Sequence, residues 1–303
     1  MAPVPALLLG FRHQENLLWG NQTSFALALC LSAGALYAAG TRNWYLGVPL
    51  ALGATLSAAQ GLFVWPAGLV VFLLARRRGG TSGGASGGAL VWAILWAAVW
   101  GWYLSGYEAA SSAAYALSRP LGALEYLAVL AGSAFSDGPV GALPWIGAGT
   151  LALSGVALWY VRGSGAALGG MILYALLCMA SITAGRVELG VYQGCCPATA
   201  SRYAIFPAFL LAASYLGLVR AHEGTRKLPG ILASLALIAL LYGLTVSYQE
   251  GLLAAAESHE NRALYREAVR GGFDPEELSE PYAASPDPTA VIEKAGVNAF
   301  ADR

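Results

Sequence analysis

Charge is what this 303-residue chain has least of: Asp, Glu, Lys and Arg together make up 11% of it, against about 25% in an average soluble protein. Between Gln22 and Gln249 it strings together long apolar stretches whose interiors carry no charge, and the charges fall in the breaks between them. A helix needs roughly 20 such residues to cross the hydrocarbon core, and several stretches of that kind cannot all be hidden inside one soluble domain. A soluble protein is thereby excluded. No CxxC or HExxH signature occurs, which argues against a structural zinc, and there is no Walker loop, dinucleotide fingerprint or nucleophile elbow. No cofactor and no metal are expected. There is no basic stripe of the kind that nucleic-acid binding requires, and no period of 20–50 residues that would signal a solenoid. The N-terminal MAPVPALLLGF lacks a basic n-region and has a short apolar core, so the first long span is expected to drive insertion in place of a signal peptide.

What is present is hydrophobicity, at 57% of residues and a mean hydropathy of +0.58. The net charge of zero hides an asymmetry, because residues 1–248 carry 12 basic and 6 acidic side chains while 249–303 carry 5 and 11. The chain is therefore expected to be an all-α polytopic bundle over 1–248 followed by an acidic, water-facing tail over 249–303. Clear spans are predicted at 22–40, 89–106, 140–161, 165–185, 203–219 and 228–248. Trp102, Tyr103, Trp159, Tyr160, Tyr203 and Tyr248 are placed as interfacial anchors.

Two stretches are ambiguous. Residues 46–75 are too long for one comfortable crossing and short for two, so they form either a hairpin folded at Gln60-Gly61 or one broken span, with Pro66 marking a break either way. Residues 121–135 are short and carry Glu125, which suits an interfacial or re-entrant helix. The count is about seven to nine membrane segments, including short or re-entrant ones. Arg76-Arg77-Arg78 and the run Arg220, Arg226, Lys227 are the densest basic clusters, so they are assigned to the cytoplasm. Threading from Arg78 then puts 107–139, 186–202 and the tail outside and Arg162 inside. The Gly/Ser stretch 79–88 is expected to be a flexible linker.

Three polar groups fall on the outer side and could carry chemistry. In FRHQENLLWGNQTSF (11–25), Glu15 beside His13 is either a general base or metal ligand at the bundle mouth, or part of a solvated extension. In GRVELGVYQGCCPATASRY (185–203), Arg186 and Arg202 are either a phosphate clamp with bidentate guanidinium geometry or interfacial residues snorkelling to head groups. Cys195-Cys196 in that loop is either a vicinal disulfide or a pair of free thiols, while Cys30 and Cys178 read as packing residues. The third group is Glu108, Arg119, Glu125 and Asp137. There Glu125 is either a site carboxylate lining a wet cavity or a residue facing water. Beyond the last span, 250–270 reads as an amphipathic helix ending at Gly271-Gly272, and Asp274-Pro275 starts another.

Taken together, LLWGNQTSFALAL (17–29), GLFVWPAGLVVFLLARRR (61–78), LEYLAVLAGSAFS (124–136), GR…SRYAIF (185–206) and SPDPTAVIEKAG (285–296) resemble bacterial multi-pass proteins that are similar to membrane glycosyltransferases of the GT-C type. The resemblance extends over most of the chain. It implies a lipid-linked donor, typically a polyprenyl-phosphate sugar, used on the outer face of a bacterial inner membrane. Such enzymes usually carry an acidic catalytic residue in a long first outer loop, and almost nothing precedes FRHQENLLWG here. An N-terminally shortened version is therefore expected, with Glu15 or Glu125 as the candidate base and Arg186, Arg202 and neighbouring Tyr203 as the phosphate-binding set. Two other classes compete with an enzyme. A lipid transporter would use broken helices at mid-depth, for which Gly61 and Pro66 are the pointer, and a non-catalytic scaffold would use the bundle to hold partner membrane subunits.

Overall fold

An apolar run in lipid must satisfy every backbone N–H and C=O internally, and a helix does so within one segment. A computed structural model describes residues 23–41, 43–76, 83–106, 111–135, 141–162, 165–191, 198–200, 203–223 and 227–271, and these contain helices and no strand. In chain order they are α1 (Thr23–Ala39), α2 (Trp44–Ser57), a 3-10 turn (Ala59–Phe63), α3 (Val64–Arg76), α4 (Gly83–Ser105), α5 (Ser111–Ser118), α6 (Pro120–Gly132), α7 (Leu143–Val161), α8 (Ala166–Arg186), a second 3-10 turn (Val187–Leu189), α9 (Ile205–His222) and α10 (Lys227–Gly271). Six segments among the described residues are long and apolar enough to cross a membrane: Ala59–Arg76, Gly87–Ser105, Leu143–Val161, Ala166–Arg186, Ile205–His222 and Lys227–Val246.

α1, expected at 22–40 as a clear span, is shorter than these at 17 residues, or about 26 Å at 1.5 Å per residue. Its C-terminus is closed locally. Gly40 N–H reaches the carbonyls of Leu36 and Tyr37, while the Thr41 hydroxyl donates to Ala38 O at 2.8 Å and accepts from Asn43 N–H at 3.2 Å.

The stretch 46–75 folds as a hairpin. Gly34 meets Leu50 and Gly53 meets Leu31, so α1 and α2 run antiparallel; Trp44 lies on Gly88, and Trp92 touches both Gly47 and Gly68. Together with Trp100 on Leu62, these contacts make α4 parallel to α2 and antiparallel to α3. The reversal begins at Ala58, which is extended (φ −160°, ψ 154°). Gly61 then packs directly on the Ala54 carbonyl, leaving no room for a Cβ. Pro66 does not break a helix as expected, because it sits in the first turn of α3, where a missing N–H is tolerated.

The tip of this hairpin stops below the bundle end. Gln60 O accepts from Cys178 Sγ, and Leu62 O accepts from the Trp100 indole N–H at 3.2 Å. Cys178 is eight residues short of the end of α8 and Trp100 five short of the end of α4, which is about 8–12 Å of depth. Backbone at that depth is tolerated only when protein satisfies it. Pro66 has no N–H to offer Leu62 O four residues back, and the Trp100 indole supplies a donor there. Trp65 Nε1 donates to Thr55 Oγ1 at 3.1 Å, and Trp92 Nε1 donates to Trp65 O at 2.8 Å. Trp92, Trp96 and Trp100 recur every fourth residue, so one face of α4 forms an indole spine against the hairpin.

Elsewhere small residues set the approach of helices, as membrane packing favours. Gly147 of α7 touches the Ala128 carbonyl of α6, and Gly132 touches Leu143 O, so any side chain at either glycine would collide with backbone. Between α7 and α9 the Ser214 hydroxyl donates to Ser154 Oγ at 3.0 Å, and both residues are buried. α9 is the central helix, with 72% of its span buried inside the protein, whereas α4 buries 11% and shows most of its surface to the surroundings. α10 differs from the expected span followed by a separate amphipathic helix, because it is one continuous 45-residue helix ending at Gly271. The chain divides into two compact units, Met1–Gly251 and Leu252–Arg303. The helices expected from Asp274 and Ser285 lie outside the described residues.

Trp100→Phe removes the donor to Leu62 O and leaves a buried acceptor unpaired, which should lower stability by about 1–3 kcal/mol. The loss should shrink when Pro66→Ala is added and an N–H becomes available to that carbonyl. Thermal unfolding of the detergent-solubilised single and double variants measures this coupling. Trp102→Phe, at a residue 67% exposed, should change little.

Candidate functional site

Helix packing sorts the loops of the first unit onto two ends. Gly40 lies on Ala167, Gly169 on Leu74, Gly217 on Val161 and Gly230 on His222. One end therefore gathers Arg76, Arg162, Arg220, His222 and Lys227, with Glu223 paired to Arg220. Arg162 stacks on Trp159 at 4.6 Å. The opposite end contains the start of α1 beside the start of α9, where Phe25 meets Phe206 edge-on at 6.1 Å, and the end of α8. The α6–α7 junction reaches the same end, since α7 starts there.

The sequence candidates described by the structure lie toward this second end. Arg186 is the last residue of α8 and exposed, a position where a cation also complements the helix dipole. Exposed Glu188 follows in the 3-10 turn, which Gly190 terminates with φ 104°, a left-handed conformation that suits glycine. Ala198 N–H then bonds Val191 O at 3.0 Å. Glu125 is exposed on α6. α5 and α6 both pack against α8 and against the Val187–Leu189 turn, so the helix carrying Glu125 neighbours the segment carrying Arg186. Arg119 is anchored on Tyr115, with its guanidinium 5.1 Å from the ring centroid and Nη1 donating to the hydroxyl at 3.0 Å.

Tyr203 departs from its interfacial expectation: it is buried at 5% exposure, at the head of a run in which Tyr203–Ser214 are all buried. Glu15, Arg202, Cys195 and Cys196 lie outside the described residues, as do Glu108 and Asp137. Cys178 is buried as expected, but Cys30 is exposed and not a packing residue. Among the described residues no group of three or more His, Cys, Asp or Glu is placed to hold a metal ion.

A polar set that sequence reasoning passed over runs from this end to mid-depth, with Thr183 three residues from the end of α8 and Ser32 and Tyr174 near the middle of their helices. Ser32 of α1 and Tyr174 and Thr183 of α8 are buried with hydroxyls that have no partner at full hydrogen-bond geometry among the described residues. Tyr174 OH lies beside Ser32 and Cys178. The available signal was spacing, since Tyr174 and Cys178 are four apart on one face of an uncharged span. Such groups inside a membrane bundle normally bond one another or line a wet path. An open cleft between α9 and α10 lies instead at the basic end, lined by His222, Lys227 and apolar residues of both helices.

Chemically, the second end offers exposed guanidinium and carboxylate groups at the rim. This set can bind an anion and hold a proton acceptor near it. Comparison with known protein families, curated proteins and solved structures finds no match to this chain.

Proposed function

We propose that this is a multi-pass protein of a bacterial plasma membrane whose extracytoplasmic end handles the phosphate of a lipid carrier, in the manner that its resemblance to GT-C glycosyltransferases implies. The observation that carries the proposal is the sorting of charge between the two ends. Arg76, Arg162, Arg220 and Lys227 share one end, which the positive-inside rule assigns to the cytoplasm. The end with Arg186, Glu188 and the helix of Glu125 then faces outward, where polyprenyl-phosphate sugars are consumed, and the acidic tail follows on the same side. On this reading the bundle has up to nine membrane segments. The six long ones are joined by α1, α2 and α6, which are too short for a straight crossing.

In the proposed reaction Arg186 and Arg202 hold the departing lipid phosphate, and a carboxylate, Glu15 or Glu125, takes the proton from the acceptor hydroxyl. Tyr203, buried before the start of α9, would support this set from below. One observation favours a second reading, a non-catalytic scaffold for partner membrane subunits. The continuous burial of Tyr203–Ser214 makes the entry of α9 a packed wall.

Orientation is checked by cysteine labelling in a cysteine-free background. Glu188→Cys should react with an impermeant thiol reagent added to intact cells, while Glu223→Cys should react only after permeabilisation. The reverse pattern overturns the assignment of the outer end.

Binding of polyprenyl phosphate to the purified protein distinguishes enzyme from scaffold. Arg186→Ala should weaken it by about tenfold or more, the equivalent of a lost charge-assisted hydrogen bond. Arg186→Lys should recover the charge but not the bidentate geometry. Equal affinity for wild type and Arg186→Ala would leave the scaffold.

A further inference from the structure

The cleft at the basic end belongs to no part of the proposed reaction. It lies between the last turns of α9 (Tyr215, Val219, His222) and the first turns of α10 (Lys227 to Leu237), and encloses about 530 Å³. That falls within the ~300–1,000 Å³ typical of ligand sites. Its shape follows from one residue: the His222 ring packs over Gly230, and a side chain at 230 would collide with it. The two helices are thus held together at the top while the groove below stays open.

Its chemistry is graded along its length. At the end of the bundle it presents the Lys227 ammonium and the His222 imidazole, with the Arg220–Glu223 pair alongside. Below them the walls are Val219, Ile231, Ala233 and Leu237. Ile231, Leu235 and Ile238 are among the most exposed apolar side chains of α10. The Tyr215 and Ser234 hydroxyls sit partway down, and Ser234 Oγ is engaged with Gly230 O at 3.0 Å. From Lys227 to Leu237 the groove follows about 15 Å of helix.

A soluble anion would use the charged end and leave the apolar walls uncovered, and a neutral lipid would use the walls without the charge. One molecule satisfies both: a negative head group at the level of the cations, with an acyl chain running down the groove. Basic pockets between membrane helices are suited to such head groups. We propose that the α9–α10 cleft is a binding site for an anionic phospholipid of the leaflet at the basic end, with its phosphate on Lys227 and His222 and one acyl chain between Val219, Ile231 and Leu237.

The test uses the full chain purified in phosphatidylcholine micelles doped with phosphatidylglycerol, with retained lipid counted by native mass spectrometry. Wild type should keep one phosphatidylglycerol in preference to phosphatidylcholine. Lys227→Glu should reduce that retention by on the order of tenfold, as for a lost charge-assisted contact. Ser234→Trp, which fills the groove and leaves Lys227 in place, should reduce it as well. Arg162→Glu makes the same charge change at the same end but outside the cleft and should leave retention unchanged. Equal loss in Lys227→Glu and Arg162→Glu would mean diffuse attraction to the surface and overturn the site. Full retention by Ser234→Trp would overturn acyl occupancy, as would displacement of the lipid by glycerol phosphate alone. Polyprenyl-phosphate binding at the other end should be indifferent to Lys227→Glu, so failure of either proposal leaves the other standing.

Discussion

A backbone that breaks inside apolar surroundings must find its hydrogen bonds in protein, and the rest of this bundle is arranged around one such break. At Ala58–Phe63 the chain reverses between two helices of 14 and 13 residues, and Pro66 withholds the N–H that would serve Leu62 O. Hydrocarbon offers nothing in its place, and an unpaired carbonyl there costs several kcal/mol. The Trp100 indole, the Cys178 thiol and the Thr55 hydroxyl supply the partners from three different helices. That requirement fixes the depth of α4 against α3 and of α8 against the hairpin tip. It also explains why α4, although little buried overall, turns Trp92, Trp96 and Trp100 inward while Trp102 stays exposed.

The remaining packing relies on closeness, because lipid tails give helices no hydrophobic reason to associate. Glycine at 132 and 147 brings α6 and α7 into backbone contact, and Gly217 admits Val161 against α9. The Ser154–Ser214 bond adds a polar link where any unpaired hydroxyl would be costly. α9 can be central because Ala208, Ala212, Ala213 and Ser214 let neighbours approach it from several sides.

The two ends of the bundle are chemically distinct. One combines exposed Arg186 and Glu188 with a neighbouring helix that carries Glu125. The other combines a ring of cations with a groove whose lower walls are apolar. A protein that handles a lipid phosphate at its outer end and seats an anionic lipid at its inner end would engage both leaflets through different residues. The lipid at the inner end would lie along α9, the same helix that Tyr203 immediately precedes at the outer end.

The uncharged runs by themselves determined that the chain is helical and membrane-spanning, because hydrocarbon permits few other forms. Short runs were harder to read. Residues 46–75 fitted a hairpin and a broken span equally well, since hydropathy carries no information on chain reversal. Only the placement of Trp92 between Gly47 and Gly68 decided for the hairpin. Pro66 read as a break because proline's local effect is legible, yet its position within a helix depends on where the preceding turn ends. Exposed Arg186 and Glu125 could be picked out because charge is scarce here, whereas Tyr203 read as an interfacial anchor and proved buried, a matter of which neighbours cover it. The α9–α10 cleft was invisible in the sequence for the same reason, and of the buried hydroxyls only Tyr174, four residues before Cys178 on an uncharged span, left a signal in its spacing. Small polar and apolar residues become a site only when separate helices bring them together, and that is settled by tertiary packing.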